Sequence, residues 1–199
     1  MTFLMALLGS GAGVAIVTAL FQIWATMRQG ELQIIQNQLS ALYGPLYYFT
    51  CLNKALFDLY KDYHKAYDKE FKDTNIAPES MESFKKEATA LLDEANSYIN
   101  TEVMQNNAKI IKLLEKNWHL IDLDDVDIFS RFQIDMARMK RSEGQSVRTT
   151  ISLKEHLGNV SFMRPNMIER VEAKWRLKRT RVEQLTKGTN IFCRTCQSR

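Results

Sequence analysis

The sequence predicts an all-α protein: an N-terminal transmembrane helix, then a cytoplasmic bundle of long helices with coiled-coil-like seams. Three observations predict this class. Residues 1–27 carry no charged side chain, whereas every Asp, Glu, Lys and Arg of the 199-residue chain follows them. The chain has only three prolines, and apolar residues recur at spacings of three and four, as along a buried helix face. We divide the chain into a transmembrane anchor at 1–28, a helical domain at 29–186 and a flexible tail at 187–199.

The segment 3–27 is long and apolar enough to predict a membrane-spanning helix. Such a helix would extend about 37 Å, against a hydrocarbon core of about 30 Å. Trp24 and Arg28 lie at one end, where aromatic and basic side chains favour the membrane interface. Because no basic side chain precedes Arg28, the positive-inside rule places the N-terminus outside and the rest of the chain in the cytoplasm, at the inner (plasma) membrane. The nearest alternative is a cleaved signal peptide, which requires a basic start and a shorter apolar run.

Closely spaced glycines inside this segment suggest a second interpretation, a phosphate-binding loop. Gly9 and Gly11 match the start of a G-x-G-x-x-G fingerprint, but Val14 stands where the third glycine belongs. No alternation of strands and helices follows in the sequence. The dinucleotide-binding fold that this fingerprint requires is therefore not predicted.

The same small residues indicate helix packing within a membrane. Gly9 and Gly13 form a G-x-x-x-G spacing, and Gly11, Ala15 and Ala19 form a second row of small residues. Helices in lipid gain stability mainly from close packing, so these five residues predict self-association of the span and hence a homo-oligomer. The alternative is that small residues are common in membrane helices whatever their partners.

A long helix with an apolar seam is predicted at 31–71. The seam residues are Leu32, Ile35, Leu39, Leu42, Leu46, Phe49, Leu56, Tyr60, Tyr63 and Tyr67. Asn53 occupies one seam position, where it either fixes the register of a coiled coil or, as we prefer, forms hydrogen bonds inside a bundle built from one chain. Pro45 lacks an N–H and crowds the carbonyl of Ala41, so a kink or break is expected there. Tyr43 and its aromatic neighbours are interpreted as packed core rather than as a ligand pocket.

The next two helices are predicted at 78–118 and 125–143, and Pro78 suits the first turn of the former. The turn between them holds three aspartates: Asp122, Asp124 and Asp125. A calcium-binding loop is excluded, because Asp127 and Gln133 stand where that loop requires glycine and glutamate. We interpret the aspartates as the N-terminal cap of the following helix. No metal site and no cofactor is predicted.

A basic helix is predicted at 164–186, where the composition changes. Residues 164–199 hold ten basic and three acidic side chains, a net charge of +7 in a chain whose total is +4. The candidate binding residues are Lys174, Arg176, Lys178, Arg179 and Arg181. They predict an anionic partner, either lipid head groups or a nucleotide, with nucleic acid ranked below lipid because lipid is close. The alternative is that they pair with acidic residues of the same chain or of a neighbouring subunit.

The sequence contains no nucleophile elbow, Walker A loop, zinc-protease motif or kinase signature. Cys193 and Cys196 supply at most half of a zinc site. We therefore expect a non-enzymatic, single-pass membrane scaffold that binds lipid, itself and a protein partner. One alternative is a membrane-perturbing effector, similar in architecture to some effectors of phage defence, whose span oligomerises on sensing an anionic ligand. The other is an enzyme with an unrecognised site at 144–163.

Overall fold

The structure, a computed structural model, describes residues 11–73, 78–143 and 165–196, and it confirms an all-α helical bundle. The described residues form five α-helices and no strand. In chain order the helices are α1 (Gly11–Gln38), α2 (Gly44–Asp73), α3 (Pro78–Lys116), α4 (Val126–Glu143) and α5 (Pro165–Cys196). A π-helical turn, Leu39–Tyr43, joins α1 to α2, and two 3₁₀ turns, Trp118–Leu120 and Leu123–Asp125, lie between α3 and α4.

Within the ranges that the structure describes, no helix is long and apolar enough to cross a membrane. Two sequence predictions concern residues outside those ranges: the first part of the predicted span, 3–10, which includes Gly9, and the segment 144–163. The rest of the predicted span corresponds to the first part of α1, which continues without interruption to Gln38.

The chain divides into two compact units. One unit combines both ends of the chain, Met1–Ser40 with Arg176–Arg199, and the other consists of Ala41–Trp175. The first unit therefore contains α1 and the second part of α5. The second unit contains α2, α3, α4, both 3₁₀ turns and the first part of α5.

In the first unit, α1 and α5 run antiparallel. The Nη2 atom of Arg28 donates a hydrogen bond of 2.7 Å to the carbonyl of Leu185. Further along α1, the side-chain oxygen of Gln38 accepts a hydrogen bond of 2.7 Å from Lys178 Nζ. The partner number falls as the α1 number rises, which is the pattern of an antiparallel helix pair.

The second unit has an apolar core to which all four of its helices contribute. Its buried members are Leu42, Tyr43, Leu46, Ile110, Leu114, Phe129, Phe132, Met136, Met139, Met167 and Val171. The four core residues of α4 follow one another at spacings of three and four, so they lie on one face of that helix. Burying one such side chain contributes about 1.5–3 kcal/mol, and the core is therefore the main source of stability in this unit.

Regular α-helical hydrogen bonding is interrupted immediately before Gly44 and Pro45. Pro45 has no N–H to bond the carbonyl of Ala41, so the α-helical ladder cannot pass through this position. The chain forms the π-helical turn Leu39–Tyr43 there, and Tyr43 at its end is fully buried. The interruption expected from Pro45 thus lies in the turn that precedes the proline.

Three buried asparagines connect α2 to α3. Asn53 Nδ2 donates to Asn107 Oδ1 at 2.8 Å, and Asn53 Oδ1 accepts a hydrogen bond from Asn106 Nδ2 at 3.1 Å. Both helices thus supply amide groups at the same level of an otherwise apolar contact. The structure places the Asn53 hydrogen bonds within one chain. Amide pairs of this kind fix the register of two helices, because a shift of either helix would leave buried amides unpaired.

The last helix is longer than the sequence pattern indicates. We expected it to end near residue 186, with a flexible tail from 187, because Gly188 is typical of a helix end. In the structure α5 continues through Gly188 to Cys196. A single glycine inside a helix costs only about 1 kcal/mol relative to alanine, which is too little to end a helix by itself.

Replacing Asn53 should destabilise the second unit. Asn53→Ala removes the acceptor of the buried Asn106 amide, and the loss of a buried hydrogen-bond partner costs about 2 kcal/mol. The matched control is Asn100→Ala, since Asn100 is exposed on α3, and its effect should stay within about 0.5 kcal/mol. Urea unfolding of the full chain measures both. Equal effects of the two substitutions would contradict a structural role for the asparagine network.

Candidate functional site

The turn before α4 positions two carboxylates in the second unit. Asp122 has an extended backbone conformation, with φ −63° and ψ 140°, and lies at the N-cap of the 3₁₀ turn Leu123–Asp125. The turn is closed by a hydrogen bond of 2.9 Å from the Asp125 N–H to the Asp122 carbonyl. Asp122 makes no side-chain capping hydrogen bond. The carboxylates of Asp122 and Asp125 interact instead with α5.

Two cations of α5 contact these carboxylates. Arg170 Nε donates to Asp125 Oδ1, and Lys174 Nζ lies 2.8 Å from Asp122 Oδ2. Arg170 and Lys174 are four residues apart, so they lie on the same face of the helix. Asp125 is fully buried and Lys174 nearly so. We call these four residues, together with Tyr43, the ion cluster.

Tyr43 completes the ion cluster from the core side. Its hydroxyl donates a hydrogen bond of 2.6 Å to Asp125 Oδ2 and accepts one of 3.1 Å from the Asp122 N–H. Burial, followed by the hydrogen bond to Asp125, raises the pKa of Tyr43 above its ordinary value. The hydrogen bond to Asp125 likewise raises the pKa of Arg170. Both pKa shifts keep the Tyr43 phenol neutral and the Arg170 guanidinium charged in the folded state.

The chemistry of the ion cluster is that of a structural link. Both oxygens of Asp125 accept hydrogen bonds from side chains of the same unit. In addition, Lys174 Nζ lies 3.8 Å from Asp125 Oδ2. Among the residues that the structure describes, no group of three or more histidines, cysteines or carboxylates could hold a metal ion. The cluster therefore joins the first part of α5 to the turn before α4 and to the end of the π-helical turn before α2.

The five basic residues singled out in the sequence occupy two faces of α5. At 100° per residue, Lys174, Lys178 and Arg181 lie on one face. Lys174 belongs to the ion cluster, and Lys178 is buried and donates to Gln38. Arg181 Nε donates a hydrogen bond of 2.7 Å to Glu31 Oε1, which lowers the pKa of Glu31. These three candidate anion-binding residues thus contact groups of their own chain.

The other two basic residues, Arg176 and Arg179, lie on the opposite face and are exposed. Arg179 Nε is 3.8 Å from Glu183 Oε1, an exposed pair of the kind that contributes little to stability. Leu177, between them in sequence, is also exposed.

The first part of α1 presents large apolar side chains to the surface. We call these residues the apolar stretch: Val14, Ile16, Val17, Leu20, Phe21, Ile23, Trp24 and Met27. They cover about half of the helix circumference at 100° per residue. Among the predicted packing residues, Ala15 and Ala19 lie on the other half and are exposed, whereas Gly13 is buried. Gly11 is the first residue of α1.

The polar side chains of this part of α1 bond to their own helix. Thr18 donates to the carbonyl of Val14, and Thr26 donates to the carbonyl of Gln22, each at 2.8 Å. A threonine bonded in this way exposes no unpaired hydroxyl proton, which suits a helix in apolar surroundings.

Sequence and structural comparisons find no match: no family model, curated protein or solved structure matches the chain.

The sequence pattern does not single out the partnership between Asp125 and Arg170. The two residues are 45 positions apart, and each looks like an ordinary charged surface residue. The one related signal in the sequence is that Lys174 follows the apolar Val171 by three residues, and a cation on an apolar helix face requires an acidic partner.

Removing the guanidinium of the ion cluster should destabilise the second unit. Arg170→Met leaves the fully buried Asp125 carboxylate with fewer compensating donors, and we expect a loss of about 2–3 kcal/mol in the free energy of unfolding. Arg179→Met makes the same change at an exposed pair and should cost less than about 0.5 kcal/mol. Chemical denaturation of both variants tests the difference, and a similar cost at the two positions would refute the structural link.

The raised pKa of Tyr43 predicts a loss of stability at high pH. Above about pH 10 the unfolded chain releases the phenolic proton while the folded chain retains it, so stability falls as pH rises, by at most about 1.4 kcal/mol per pH unit. Tyr43→Phe loses a hydrogen bond but cannot show this loss. The difference in unfolding free energy between wild type and Tyr43→Phe should therefore shrink between pH 9 and 11. A difference that stays constant over this pH range would contradict the raised pKa of Tyr43.

Proposed function

We propose that this protein is a non-enzymatic helical interaction protein that associates with a lipid membrane through the first part of α1 and presents its other helices at the cytoplasmic face. The observation that carries the proposal is the apolar stretch of α1, whose eight large side chains are all exposed. Soluble monomers rarely expose contiguous apolar patches larger than a few hundred Å². A surface of this kind is stable when lipid or another apolar partner covers it.

The end of the apolar stretch supports a lipid environment. The guanidinium of Arg28 lies 5.1 Å from the centre of the Trp24 ring. An aromatic ring followed by a basic side chain is the arrangement found where a helix leaves the hydrocarbon region and enters the head groups. After Arg28 the charged residues begin, and Glu31 pairs with Arg181 at 2.7 Å.

The contacts made by the basic residues of α5 weigh against the effector alternative. An effector of that kind requires a site that senses an anionic ligand. Candidate residues for such a site already contact groups of their own chain. Lys174 contacts Asp122, Lys178 contacts Gln38 and Arg181 contacts Glu31. The scaffold is therefore the function we propose. The interaction surface is supplied by exposed residues of the helices outside the apolar stretch.

Membrane association should depend on the apolar stretch. Leu20→Arg places a charge among its side chains, and an arginine at the centre of a bilayer costs about 2.5–3.5 kcal/mol on biological insertion scales. We expect this variant to lose most of its membrane-bound fraction in a vesicle flotation assay with the full chain.

Ile34→Arg is the matched control for this experiment. Ile34 lies on the same helix and is 60% exposed, against 61% for Leu20, but it follows the apolar stretch. This variant should float with the vesicles as the wild type does. A wild-type chain that stays in the soluble fraction, or equal behaviour of the two variants, would contradict the proposal.

A further inference from the structure

The outer parts of α2 and α3 form a two-helix hairpin with an unusual distribution of burial. We call residues 54–70 and 81–98 the hairpin arm. None of the residues in these two ranges is fully buried, whereas Asn53 and Ile99, immediately outside them, are. The two helices remain paired along the arm, since the hydroxyls of Tyr67 and Thr89 lie 2.9 Å apart. Two helices alone leave their shared seam partly open to solvent.

An apolar groove runs along one side of the hairpin arm. Its lining residues are Tyr63, Ala66, Tyr67 and Glu70 of α2, and Ala88, Leu91, Leu92 and Ala95 of α3. On each helix the four residues are spaced i, i+3, i+4 and i+7. Four residues at this spacing form the hole that receives one side chain of a facing helix in knobs-into-holes packing. Both walls of the groove therefore have the geometry that accepts a further helix.

The hairpin arm also contains buried polar atoms that lack a hydrogen-bond partner. These are His64 Nε2 on α2 and Asn96 Oδ1 on α3. They contrast with the Asn53 network at the inner end of the same helix pair, where amide groups bond across the seam. Polar atoms of this kind normally bond to protein or to ordered water. The seam of the arm is thus less completely bonded between its own side chains than the Asn53 network is.

The area of the hairpin arm is sufficient for a stable contact between two copies. About 17 residues of helix extend about 25 Å, and packed helices lie about 10 Å apart, so one face of the arm covers about 500 Å². Two such faces bury about 1,000 Å², the area at which specific interfaces between proteins begin.

The charge of the hairpin arm distinguishes between the molecules that could bind in its groove. Residues 54–70 carry four basic and four acidic side chains, and residues 81–98 carry two basic and four acidic ones. A face with this balance offers no attraction to anionic lipid or nucleic acid, both of which require a basic surface. It also imposes little repulsion on a second copy of itself. The basic residues 164–199, with their net charge of +7, would repel their own copy strongly.

We propose that two copies of this chain pair through the hairpin arm to form a four-helix bundle, in which helices of one copy occupy the groove between α2 and α3 of the other. The pairing is isologous, so each copy both supplies and receives Leu91. Leu91 borders the groove and is 62% exposed in the single chain. This inference goes beyond the proposed function, because it stands whether or not α1 lies in a membrane.

The test measures the protein mass of the detergent-solubilised full chain by light scattering. The wild type should contain at least two copies of the 23.1 kDa chain, and Leu91→Arg should reduce the copy number by half. Leu177→Arg is the matched control, because Leu177 is 64% exposed but lies on α5, and it should leave the mass unchanged. A monomeric wild type, or an unchanged copy number in Leu91→Arg, would overturn the proposal.

A second measurement, photo-crosslinking, introduces no charge into the proposed interface. A photo-crosslinking phenylalanine analogue is placed at position 91, and chains with light and heavy isotopes are mixed before illumination. We expect light-to-heavy crosslinks that end in residues 54–98 of the other chain. Crosslinks confined to lipid, detergent or another protein, or the absence of any crosslink, would overturn the proposal. Circular dichroism of each variant reports whether the helices form.

Discussion

Asp125 is a carboxylate with no exposure to water, and two distant parts of the sequence satisfy it. The Tyr43 hydroxyl and the Arg170 guanidinium each bond one of its oxygens, and Lys174 adds a second positive charge. Moving such an ion out of water costs several kcal/mol, which only well-placed hydrogen bonds offset. The contacts of the apolar core are non-directional and tolerate small shifts. The ion cluster does not, so it determines where the end of the π-helical turn, the turn before α4 and the first part of α5 must meet.

Burial in the second unit declines along the α2–α3 pair, from the apolar core to the Asn53 layer and then to the hairpin arm. The core and the asparagine layer supply fully buried contacts. The arm lacks such contact, and segments with few buried contacts open at low free-energy cost. A second copy would supply the missing contact where it is scarcest. The same part of the molecule would then serve for assembly, while Asp125 and Asn53 maintain the fold behind it.

Much of the helical organisation follows from the sequence because helix spacing is a local property. Pro78 marks the start of α3, Pro45 indicates the interruption between α1 and α2, and Asn53 stands out in an apolar seam. The ion cluster could not be predicted, since whether Arg170 meets Asp125 depends on tertiary packing across 45 residues. The interpretation of the aspartates as a helix cap placed Asp122 at the correct turn but assigned it the wrong bonding partner. The length of α5 was also missed, because one glycine at 188 is a weak stop signal.

The antiparallel pair of α1 and α5 joins residues that are synthesised far apart in time. The contact between Glu31 and Arg181 spans 150 residues, which takes about 8–30 s to translate at about 5–20 residues per second. For that interval the nascent apolar stretch has left the ribosome while its partner helix does not yet exist. Any factor that binds α1 during synthesis therefore meets it before α5 can pair with it. The contacts of Arg28 and Glu31 with α5 form only after that interval.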